Sequence, residues 1–442
     1  MNFEAMGLCP PLVSTLAKLG YPSATPIQEK ALPAILAGRD LMAAAQTGTG
    51  KTAAFALPLL HQLAEQPIPA DSARLRVVIL VPTRELATQV MHSFQRYGAE
   101  LPFTPYALYG GVPMGPQKKQ LAAGVDILVA TPGRLRDLFS QGAVRFSALK
   151  TLVLDEADRM LDLGFADDLN ILFQAFPKQR QTLLFSATFS QTVRDLAHLR
   201  LSKPLTVETT PRNSAAKSVK QWVVPVDKKR KAELLLFMWR DRQWQQVLVF
   251  AKTKVQCDAL AAFLSQRGVR ADSIHGDRPQ ASRQQALDAF KQGLTDVLVA
   301  TDVAARGLDI SGLGQVVNFD LPLQAEDYIH RIGRTGRAGA AGEAISLVAA
   351  DEISLLNAIE TLLGKTLSRD EEPGFEPKHH LPASVTRPAH PSRGQASKTG
   401  GRKTPSHWHG FDSPGKSAHA PSRKPPGKRP SPRQGKEKIH QT

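Results

Sequence analysis

Short apolar runs recur along the chain and alternate with stretches of helical periodicity. The runs are RVVILVP (76–82), DILVATP (126–132), TLVLDEA (151–157), TLLFSAT (182–188), QVLVFAKT (246–253), DVLVATD (296–302), QVVNFD (315–320) and GEAISLV (342–348). Continuous apolar runs of this length are typical of strands that are buried on both faces. Stretches such as ELATQVMHSFQRYG and ALAAFLSQRG predict helices between them. The pattern therefore predicts an α/β protein with parallel sheets flanked by helices.

The two halves of the chain carry nearly the same strand. DILVAT and DVLVAT differ at one position and lie 170 residues apart, which indicates two domains of the same kind. The segment ETTPRNSAAKS between them is polar and interrupted by proline, as linkers often are. We expect four regions, namely a first domain at 1–207, a linker at 208–218, a second domain at 219–366 and a tail at 367–442.

The net charge of +16 is concentrated near the end of the chain. Residues 377–442 hold 14 Lys/Arg against two acidic residues, so residues 1–376 carry only +4. The same end segment holds 11 of the 32 prolines and almost no aliphatic residues, which predicts a disordered basic tail without a core. Such tails usually bind polyanions, most often nucleic acid. The alternative is a tail that only solubilises the protein.

Several features bear on the compartment. No apolar run approaches the roughly 20 residues that span a bilayer. The start, MNFEAMGLCP, lacks the basic and apolar regions of a signal peptide. Cys9 and Cys257 are too far apart to form a disulfide framework, which favours a reducing compartment. We expect a cytoplasmic protein without a membrane segment.

The segment MAAAQTGTGKT is close to the phosphate-binding loop pattern of a glycine, four residues and Gly-Lys-Ser/Thr. It lies between a predicted short strand and a helix that begins near Lys51. Gly48 and Gly50 would let backbone N–H groups face phosphate oxygens. Lys51 can reach the β/γ-phosphates, and the Thr52 hydroxyl can hold Mg²⁺. Because Ala45 replaces the first glycine, a simple turn of small residues is the alternative.

Two acidic residues follow the predicted strand TLVL. Ligands bind beyond the carboxyl ends of strands in open parallel sheets, which is where Asp155 and Glu156 would lie. Asp155 is predicted to hold Mg²⁺, largely through water, and Glu156 to orient and deprotonate the attacking water. The alternative is a pair of solvated loop charges.

The tetrapeptide Asp-Glu-Ala-Asp at 155–158 is the namesake signature of the DEAD-box RNA helicases, and further motifs of that family follow the family's order. They are GYPSATPIQ, PTRELA, TPGR, SAT, HGDRPQASR, ATDVAARGLDI and HRIGRTGR. The chain resembles this family over about residues 1–366, and its bacterial RhlE-like branch in the MNFEAMGL start and the short spacers. The resemblance implies two tandem RecA-like domains, and alanine at position 45 is normal in the family.

The resemblance implies one set of residues that contacts ATP. Gln28 would read adenine with the donor and the acceptor of its amide, and Phe3 would stack on the ring. Tyr21 would pack nearby, and Asp309 would face the ribose. The alternative for Phe3 is an ordinary packing role near a terminus. The phosphate-binding loop supplies the remaining contacts, which are Ala45, Gln46, Thr47, Gly48, Thr49, Gly50, Lys51 and Thr52.

Other residues are implied to act on RNA and on the transition state. Arg334 and Arg337 would reach the γ-phosphate as arginine fingers, unless the cluster is only a surface ion-pair patch. The residues implied to couple the ATP site to RNA are Asp158, Ser186, Thr188 and His330. The residues implied to contact the RNA backbone, which position the strand without reading bases, are Thr83, Arg84, Gly111, Thr131, Gly133, Arg134, Gln280, Arg283 and Thr301.

Together these residues predict an RNA-dependent ATPase whose two domains close on ATP and RNA, each ligand strengthening the binding of the other. It would melt short RNA duplexes locally and remodel RNA–protein complexes, with RNA preferred over DNA through 2′-OH contacts. One alternative is a DNA-translocating helicase or a general P-loop NTPase. Another is a non-catalytic RNA-binding or annealing protein that uses ATP as a conformational ligand. Ribosomal RNA, the RNA-degradation machinery and cold adaptation stay open as physiological contexts.

Overall fold

The chain forms two lobes, a first lobe at residues 1–208 and a second lobe at residues 219–382, and each is built on one seven-stranded parallel sheet. This confirms the predicted fold class of tandem RecA-like domains. The residues that the computed structural model describes are 1–44, 49–66, 75–208, 219–305, 310, 312–336 and 342–382.

The first lobe has the strand order β3-β4-β2-β5-β6-β1-β7. Its strands are β1 (Leu41–Ala44), β2 (Val77–Leu80), β3 (Pro105–Leu108), β4 (Ile127–Ala130), β5 (Thr151–Leu154), β6 (Gln181–Ser186) and β7 (Leu205–Glu208). Its helices are α1 (Pro10–Lys18), α2 (Pro26–Leu36), α3 (Lys51–Glu65), α4 (Arg84–Tyr97), α5 (Met114–Ala123), α6 (Pro132–Ser140), α7 (Ala157–Asp162), α8 (Ala166–Ala175) and α9 (Gln191–Arg200).

The second lobe has the strand order β10-β11-β9-β12-β13-β8-β14. Its strands are β8 (Val219–Pro225), β9 (Val247–Phe250), β10 (Ala271–Ile274), β11 (Val297–Ala300), β12 (Gln315–Asn318), β13 (Gly342–Val348) and β14 (Ser368–Arg369). Its helices are α10 (Lys231–Asp241), α11 (Lys254–Ser265), α12 (Gln280–Lys291), α13 (Asp302–Ala305), α14 (Ala325–Ile332) and α15 (Ile353–Leu363). If the strands of each lobe are numbered from that lobe's first strand, the two sheets have the same strand order.

The central strands are buried because helices cover both faces of each sheet. All residues of β2, β4 and β5 are buried, as their continuous apolar runs predict. One face of the first sheet packs on an aromatic cluster in which the Phe55 ring centre lies 5.2 Å from that of Phe185. The other face packs on a second cluster that includes Phe146 and Phe176. The sheet of the first lobe thus lies between two apolar layers.

The second lobe extends beyond the predicted boundary at residue 366. Leu367 is 3% exposed, and β14 pairs with β8. The Phe375 ring centre then lies 5.4 Å from that of Phe237, so residues 367–382 belong to the lobe and not to the tail. At the other boundary Glu208 still belongs to β7, and residues 209–218 of the predicted linker lie outside the described residues. Residues 383–442 of the predicted tail also lie outside them.

In the part of the chain that the structure describes, no helix combines the length and the apolar character that crossing a bilayer requires.

Candidate active site

The carboxyl edge of the first sheet brings together the residues predicted to act on phosphate. The loop to Lys51 follows β1, Asp155 follows β5, and Ser186 is the last residue of β6. Because β6 pairs with both β1 and β5, these three strand ends are neighbours. This is the edge at which open parallel sheets bind their ligands.

Lys51 is the first residue of α3, and its side chain is buried. The residue is only 6% exposed, and among the described residues its Nζ has no hydrogen-bond partner. A buried ammonium without a partner is unfavourable, and the positive end of the α3 dipole adds to the same field. The site is therefore suited to an anion. Thr49 and Thr52 lie beside Lys51, whereas the predicted loop residues Ala45, Gln46, Thr47 and Gly48 lie outside the described residues.

Gln28 connects α2 to the phosphate-binding loop. Its Nε2 donates to the Gly50 carbonyl at 3.1 Å, and its Oε1 accepts from the Thr25 N–H at 2.9 Å. Gly50 has φ 91°, and a Cβ there would lie 2.4 Å from Gln28 Nε2, so the position requires glycine. The amide keeps one N–H and one lone pair, which are the groups that the predicted adenine contact needs.

The aromatic residues predicted to lie near adenine pack against protein. Phe3 is 3% exposed and belongs to the apolar cluster that includes Leu8 and Leu12. The Tyr21 ring meets the Tyr97 ring edge-on, with centroids 6.0 Å apart. The structure thus gives Phe3 the packing role that the sequence left as an alternative. Its stacking on adenine stays a prediction.

The acidic pair occupies the end of β5. Asp155 is 2% exposed, and burial raises the pKa of its carboxyl to about 6 although the nearby Lys51 ammonium lowers it. Its Oδ1 accepts a hydrogen bond of 3.0 Å from the Glu156 N–H. Glu156 itself has φ 54° and ψ 52°, a left-handed conformation that residues other than glycine seldom adopt. Strained backbone of this kind is concentrated at functional sites.

Asp158 ties the DEAD segment to the segment after β6. Its Oδ2 accepts hydrogen bonds from the Thr188 N–H and hydroxyl, both at 3.1 Å, and from the Ala187 N–H at 3.2 Å. Ser186 Oγ donates to the Thr188 carbonyl at 2.7 Å. The three predicted coupling residues of the first lobe are thus in one hydrogen-bonded group.

Two of the residues predicted to contact RNA lie at the start of α4. Thr83 caps this helix, since its hydroxyl accepts from the Leu86 N–H at 3.3 Å. The Arg84 guanidinium lies directly over Gly111, where a Cβ would be 2.1 Å from Arg84 Nη1. Gly111 is therefore needed for this close approach as well as for its φ of 78°.

The TPGR segment begins α6. Thr131 is the N-cap residue, and the Gly133 position faces Asp168, to which a Cβ would come within 3.4 Å. Arg134 is 8% exposed and donates to Gln117 Oε1 at 2.6 Å and to the Val112 carbonyl at 3.0 Å. In this arrangement Arg134 holds the neighbouring loop, and direct contact of its guanidinium with RNA stays a prediction.

Gln280 and Arg283 of the second lobe contact the first lobe. Arg283 Nη2 pairs with Glu85 Oε1 at 2.7 Å, and Gln280 Nε2 donates to the same oxygen at 3.1 Å. The side chains of Glu85 and Arg283 are 5% and 7% exposed, so the charged pair in this interlobe cluster of Glu85, Gln280 and Arg283 is buried. In this arrangement the buried Arg283 guanidinium has the Glu85 carboxylate as its partner, and its contact with RNA stays a prediction.

The HRIGRTGR segment lies in and after α14. Arg331 is 2% exposed and donates two hydrogen bonds to the Asp302 carboxylate, from Nε at 2.6 Å and from Nη2 at 2.7 Å. Arg334 is also buried, at 5% exposure, and His330 is partly buried. Thr301 is buried at the end of β11, and its carbonyl accepts from two N–H groups of α13. The predicted residues Asp309 and Arg337 lie outside the described residues.

The first lobe matches the family model "DEAD/DEAH box helicase" over residues 25–196, and the second matches "Helicase conserved C-terminal domain" over residues 228–339. The chain is also 39% identical to the DEAD-box ATP-dependent RNA helicase CshA of Bacillus subtilis over 376 residues, 85% of this chain and 75% of CshA. The chain belongs to the DEAD-box RNA helicase family. This DEAD-box helicase therefore carries both domains of the family in the expected order.

Solved structures of relatives resemble this DEAD-box helicase over both lobes. S. cerevisiae Dbp5 bound to RNA and ADP BeF3 is 32% identical with a TM-score of 0.76, covering 84% of this chain and 95% of that chain. A Dbp5 variant bound to a Gle1 variant and IP6 gives a TM-score of 0.68 at the same identity and coverage.

Two residues of this DEAD-box helicase take part in the site although the sequence did not assign them. Glu85 stands inside the PTRELA string, next to the assigned Arg84, and Arg331 stands inside HRIGRTGR. The structure buries both charged residues, and such residues need a partner. Their local sequence does not indicate this burial, and their partners, Arg283 and Asp302, are distant in sequence and emerge only from the fold.

Proposed function

We propose that this protein is an ATP-dependent RNA helicase that unwinds short RNA duplexes locally and remodels RNA–protein complexes by closing its two RecA-like lobes on ATP and one RNA strand. The observation that carries the proposal is Lys51, a buried ammonium without a protein partner among the described residues, at the sheet edge that also holds Asp155. Residues 1–207 form the ATP-binding domain, and the C-terminal helicase domain starts at residue 219 and extends to residue 382.

ATP binds at the carboxyl edge of the first sheet. Lys51 neutralises the β/γ-phosphates, together with N–H groups of the loop from Ala45 to Gly50 and of the start of α3. Gln28 contacts adenine with the amide N–H that does not bind the Gly50 carbonyl and with the oxygen lone pair that does not bind the Thr25 N–H. Phe3 and Tyr21 border the base, and Asp309 faces the ribose.

Mg²⁺ fits the donors beside Lys51. The Thr52 hydroxyl and the Asp155 carboxylate are oxygen ligands of the kind that Mg²⁺ takes, usually one or two carboxylates with water and phosphate oxygens. The buried Asp155, with its raised pKa, gains from a cation that favours the ionised form. When bound, the ion supplies positive charge that offsets the charge on the phosphates.

Hydrolysis depends on residues of both lobes. Glu156 orients the attacking water and accepts its proton. Arg334 and Arg337 come from the second lobe and stabilise the negative charge of the transition state, an effect of about 10³- to 10⁵-fold on rate for arginine fingers. Neither lobe alone has the complete set, so turnover requires closure.

RNA binds across both lobes through its backbone. Arg84, Thr131, Arg134 and Thr301 provide hydroxyl and guanidinium donors for phosphate oxygens, and the glycines 111 and 133 allow close approach. Gln280 and Arg283 act through the interlobe cluster, which forms only when the lobes meet. The coupling group of Asp158, Ser186 and Thr188 transmits the state of the ATP site, and His330 does so from the second lobe.

Finer assignments rest on sequence features alone. The MNFEAMGL start and the short spacers support membership of the RhlE-like branch, whereas the B. subtilis relative carries the name CshA. The scarcity of cysteine supports a cytoplasmic location. A clamp that reads the backbone and not the bases fits ribosomal RNA in ribosome biogenesis, and equally substrates of the RNA-degradation machinery.

Glu156→Gln tests the proposal, with Glu65→Gln as the control because Glu65 is an exposed carboxylate of the same lobe. ATP turnover and ATP-dependent RNA binding are measured with RNA and DNA oligonucleotides of equal length. Glu156→Gln should lose turnover yet keep ATP-dependent binding of RNA. A wild-type protein that binds RNA in the presence of ATP without turning ATP over would point to the non-catalytic RNA-binding protein. A rate that RNA leaves unchanged would contradict the coupling of ATP and RNA, and equal stimulation by DNA would point to a general P-loop NTPase.

A further inference from the structure

Arg159 directly follows the DEAD tetrapeptide, and the structure buries its charge. The residue lies in α7 and is 8% exposed. In the described part of the chain neither its Nε nor its Nη2 has a hydrogen-bond partner. Its Nη1 comes no closer than 4.0 Å to Asp162, a residue of the same helix whose side chain is 56% exposed. The guanidinium is thus withdrawn from water without a full set of acceptors.

The second lobe presents a carboxylate to this guanidinium. Burial lowers the pKa of the Arg159 guanidinium, and the carboxylates of Asp162, Asp302, Glu156 and Asp158 act against that shift. Of these four residues, Asp302 is the one that belongs to the second lobe. Asp302 is already held by Arg331 through Nε at 2.6 Å and Nη2 at 2.7 Å. A carboxylate offers about four lone-pair sites, so Asp302 can accept from a second guanidinium.

Arg159 lies between the DEAD segment of the first lobe and the HRIGRTGR segment of the second lobe. On one side its neighbour Asp158 binds the Thr188 N–H and hydroxyl. On the other side Asp302 binds Arg331, which lies three residues before Arg334 in the HRIGRTGR segment. A contact between Arg159 and Asp302 would complete a chain of polar groups from the DEAD segment to that arginine segment.

We propose that Arg159 is a positioning residue for lobe closure, which pairs across the cleft with Asp302 when ATP and RNA draw the lobes together. Leaving buried donors unpaired is unfavourable, so their pairing favours the closed state over less tightly closed ones. This inference rests on the proposed function, because closure matters only if RNA and ATP bind between the lobes. It concerns the equilibrium of closure and not the chemistry of the phosphate.

The test uses the full-length protein in four variants, namely Arg159→Gln, Arg159→Lys, Asp302→Asn and the double variant Arg159→Gln/Asp302→Asn. Arg145→Gln serves as the control, since Arg145 is an exposed arginine of the same lobe and its loss changes the net charge equally. ATP turnover is measured against RNA concentration for each protein, and thermal unfolding is recorded in parallel. The RNA concentration for half-maximal stimulation reports closure, and the rate at saturating RNA reports chemistry.

Arg159→Gln should raise the half-stimulating RNA concentration about tenfold, within the range usual for coupled sites. The rate at saturating RNA and the unfolding temperature should change little, and Arg159→Lys should recover part of the shift. In the Asp302→Asn background the additional effect of Arg159→Gln should fall below about twofold, because paired residues are not additive. These results together separate positioning from a general loss of structure.

Two outcomes would overturn the inference. Arg159→Gln would then behave like Arg145→Gln, or its shift would be as large in the Asp302→Asn background as in the wild type. A wild-type protein whose turnover does not respond to RNA would instead overturn the proposed function. The two failures are therefore distinguishable in one set of measurements.

Discussion

The two lobes place a lysine at the same topological position and surround it differently. Lys51 is the first residue of α3, which follows β1, and Lys231 is the first residue of α10, which follows β8. The two sheets share one strand order, so these helix starts correspond. Lys51 Nζ has no partner among the described residues, whereas Lys231 Nζ donates to Glu352 Oε2 at 2.6 Å and to the Phe319 carbonyl at 2.7 Å.

This difference shows what distinguishes a binding charge from a structural one. Both lysines are buried, at 6% and 1% exposure, so burial alone does not separate them. In the second lobe Glu352 supplies the anion, and the lysine holds β12 to the segment before α15. In the first lobe, as far as the structure describes it, no protein group accepts a hydrogen bond from Lys51 Nζ, and the nearby Asp155 is itself predicted to hold Mg²⁺, which leaves the positive charge for a ligand.

The largest expected effect comes from exchanging these lysines for alanine. Lys51→Ala should lower RNA-stimulated ATP turnover by more than about 10³-fold, since the group that neutralises the phosphates is removed. Its unfolding temperature should not fall. Lys231→Ala should instead destabilise the second lobe by about 3 kcal/mol, because Glu352, whose side chain is only 14% exposed, loses its ammonium partner. Turnover assays and denaturant unfolding on both variants would check this, and a Lys51→Ala protein that still turns over ATP would break the comparison.

The central strands of both lobes were predictable from the sequence, and the edge strands were not. Runs such as VVIL and ILVA became β2 and β4, which lie inside the first sheet. The strands without a prediction are β3, β7, β10 and β14, which are the edges of the two sheets, and β8, which lies inside the second sheet between β13 and β14. An edge strand has a neighbour on one side only and is less fully covered, so its sequence does not need a continuous apolar run.

The first-lobe site was largely predictable because its residues stand in contiguous motifs at strand ends. The interlobe cluster was not, since Gln280 and Glu85 are 195 positions apart and nothing local to either one specifies the other. The predicted domain boundary at residue 366 places residues 367–382 in the tail. Their sparse apolar residues, Leu367 and Phe375, suffice to dock them because each falls on an apolar surface of the second lobe.

Glu85→Gln tests whether the buried ion pair between Glu85 and Arg283 holds the two lobes together, as the pair between Lys231 and Glu352 holds parts of the second lobe together. The substitution leaves Arg283, now without its carboxylate, in a site where its side chain is only 7% exposed. An unmet buried donor costs roughly 1–3 kcal/mol, so the RNA concentration for half-maximal ATPase stimulation should rise about 30-fold. The same shift should appear in Arg283→Gln, and the double variant should be no worse than either one. Additive effects in the double variant would contradict a direct pair.

Phe375→Ala tests a contact that belongs to the second lobe alone. Phe375 lies after β14, the last strand, and packs on the second lobe. The Phe375 ring centre lies 5.4 Å from that of Phe237, and the Arg230 guanidinium lies 4.5 Å from its centre. Removing a partly buried ring should lower the free energy of unfolding of this lobe by about 1–2 kcal/mol. ATP binding by the first lobe should be unchanged. Two-probe denaturant unfolding would measure this, and a destabilisation confined to the first lobe would disprove it.

The smallest effect is expected from the charges beyond both lobes. Residues 383–442 contain 13 Lys/Arg against Asp412 and Glu437, and their deletion removes positive charge without touching either lysine of the comparison. RNA affinity should weaken, and the slope of log affinity against log salt should flatten by about 0.7 for each single-strand phosphate that the segment had neutralised. The rate at saturating RNA should stay the same, unlike in Lys51→Ala. Salt screens every ion pair that a cationic segment forms with phosphate. If deletion left the slope unchanged, this segment would therefore keep the protein in solution and not bind RNA.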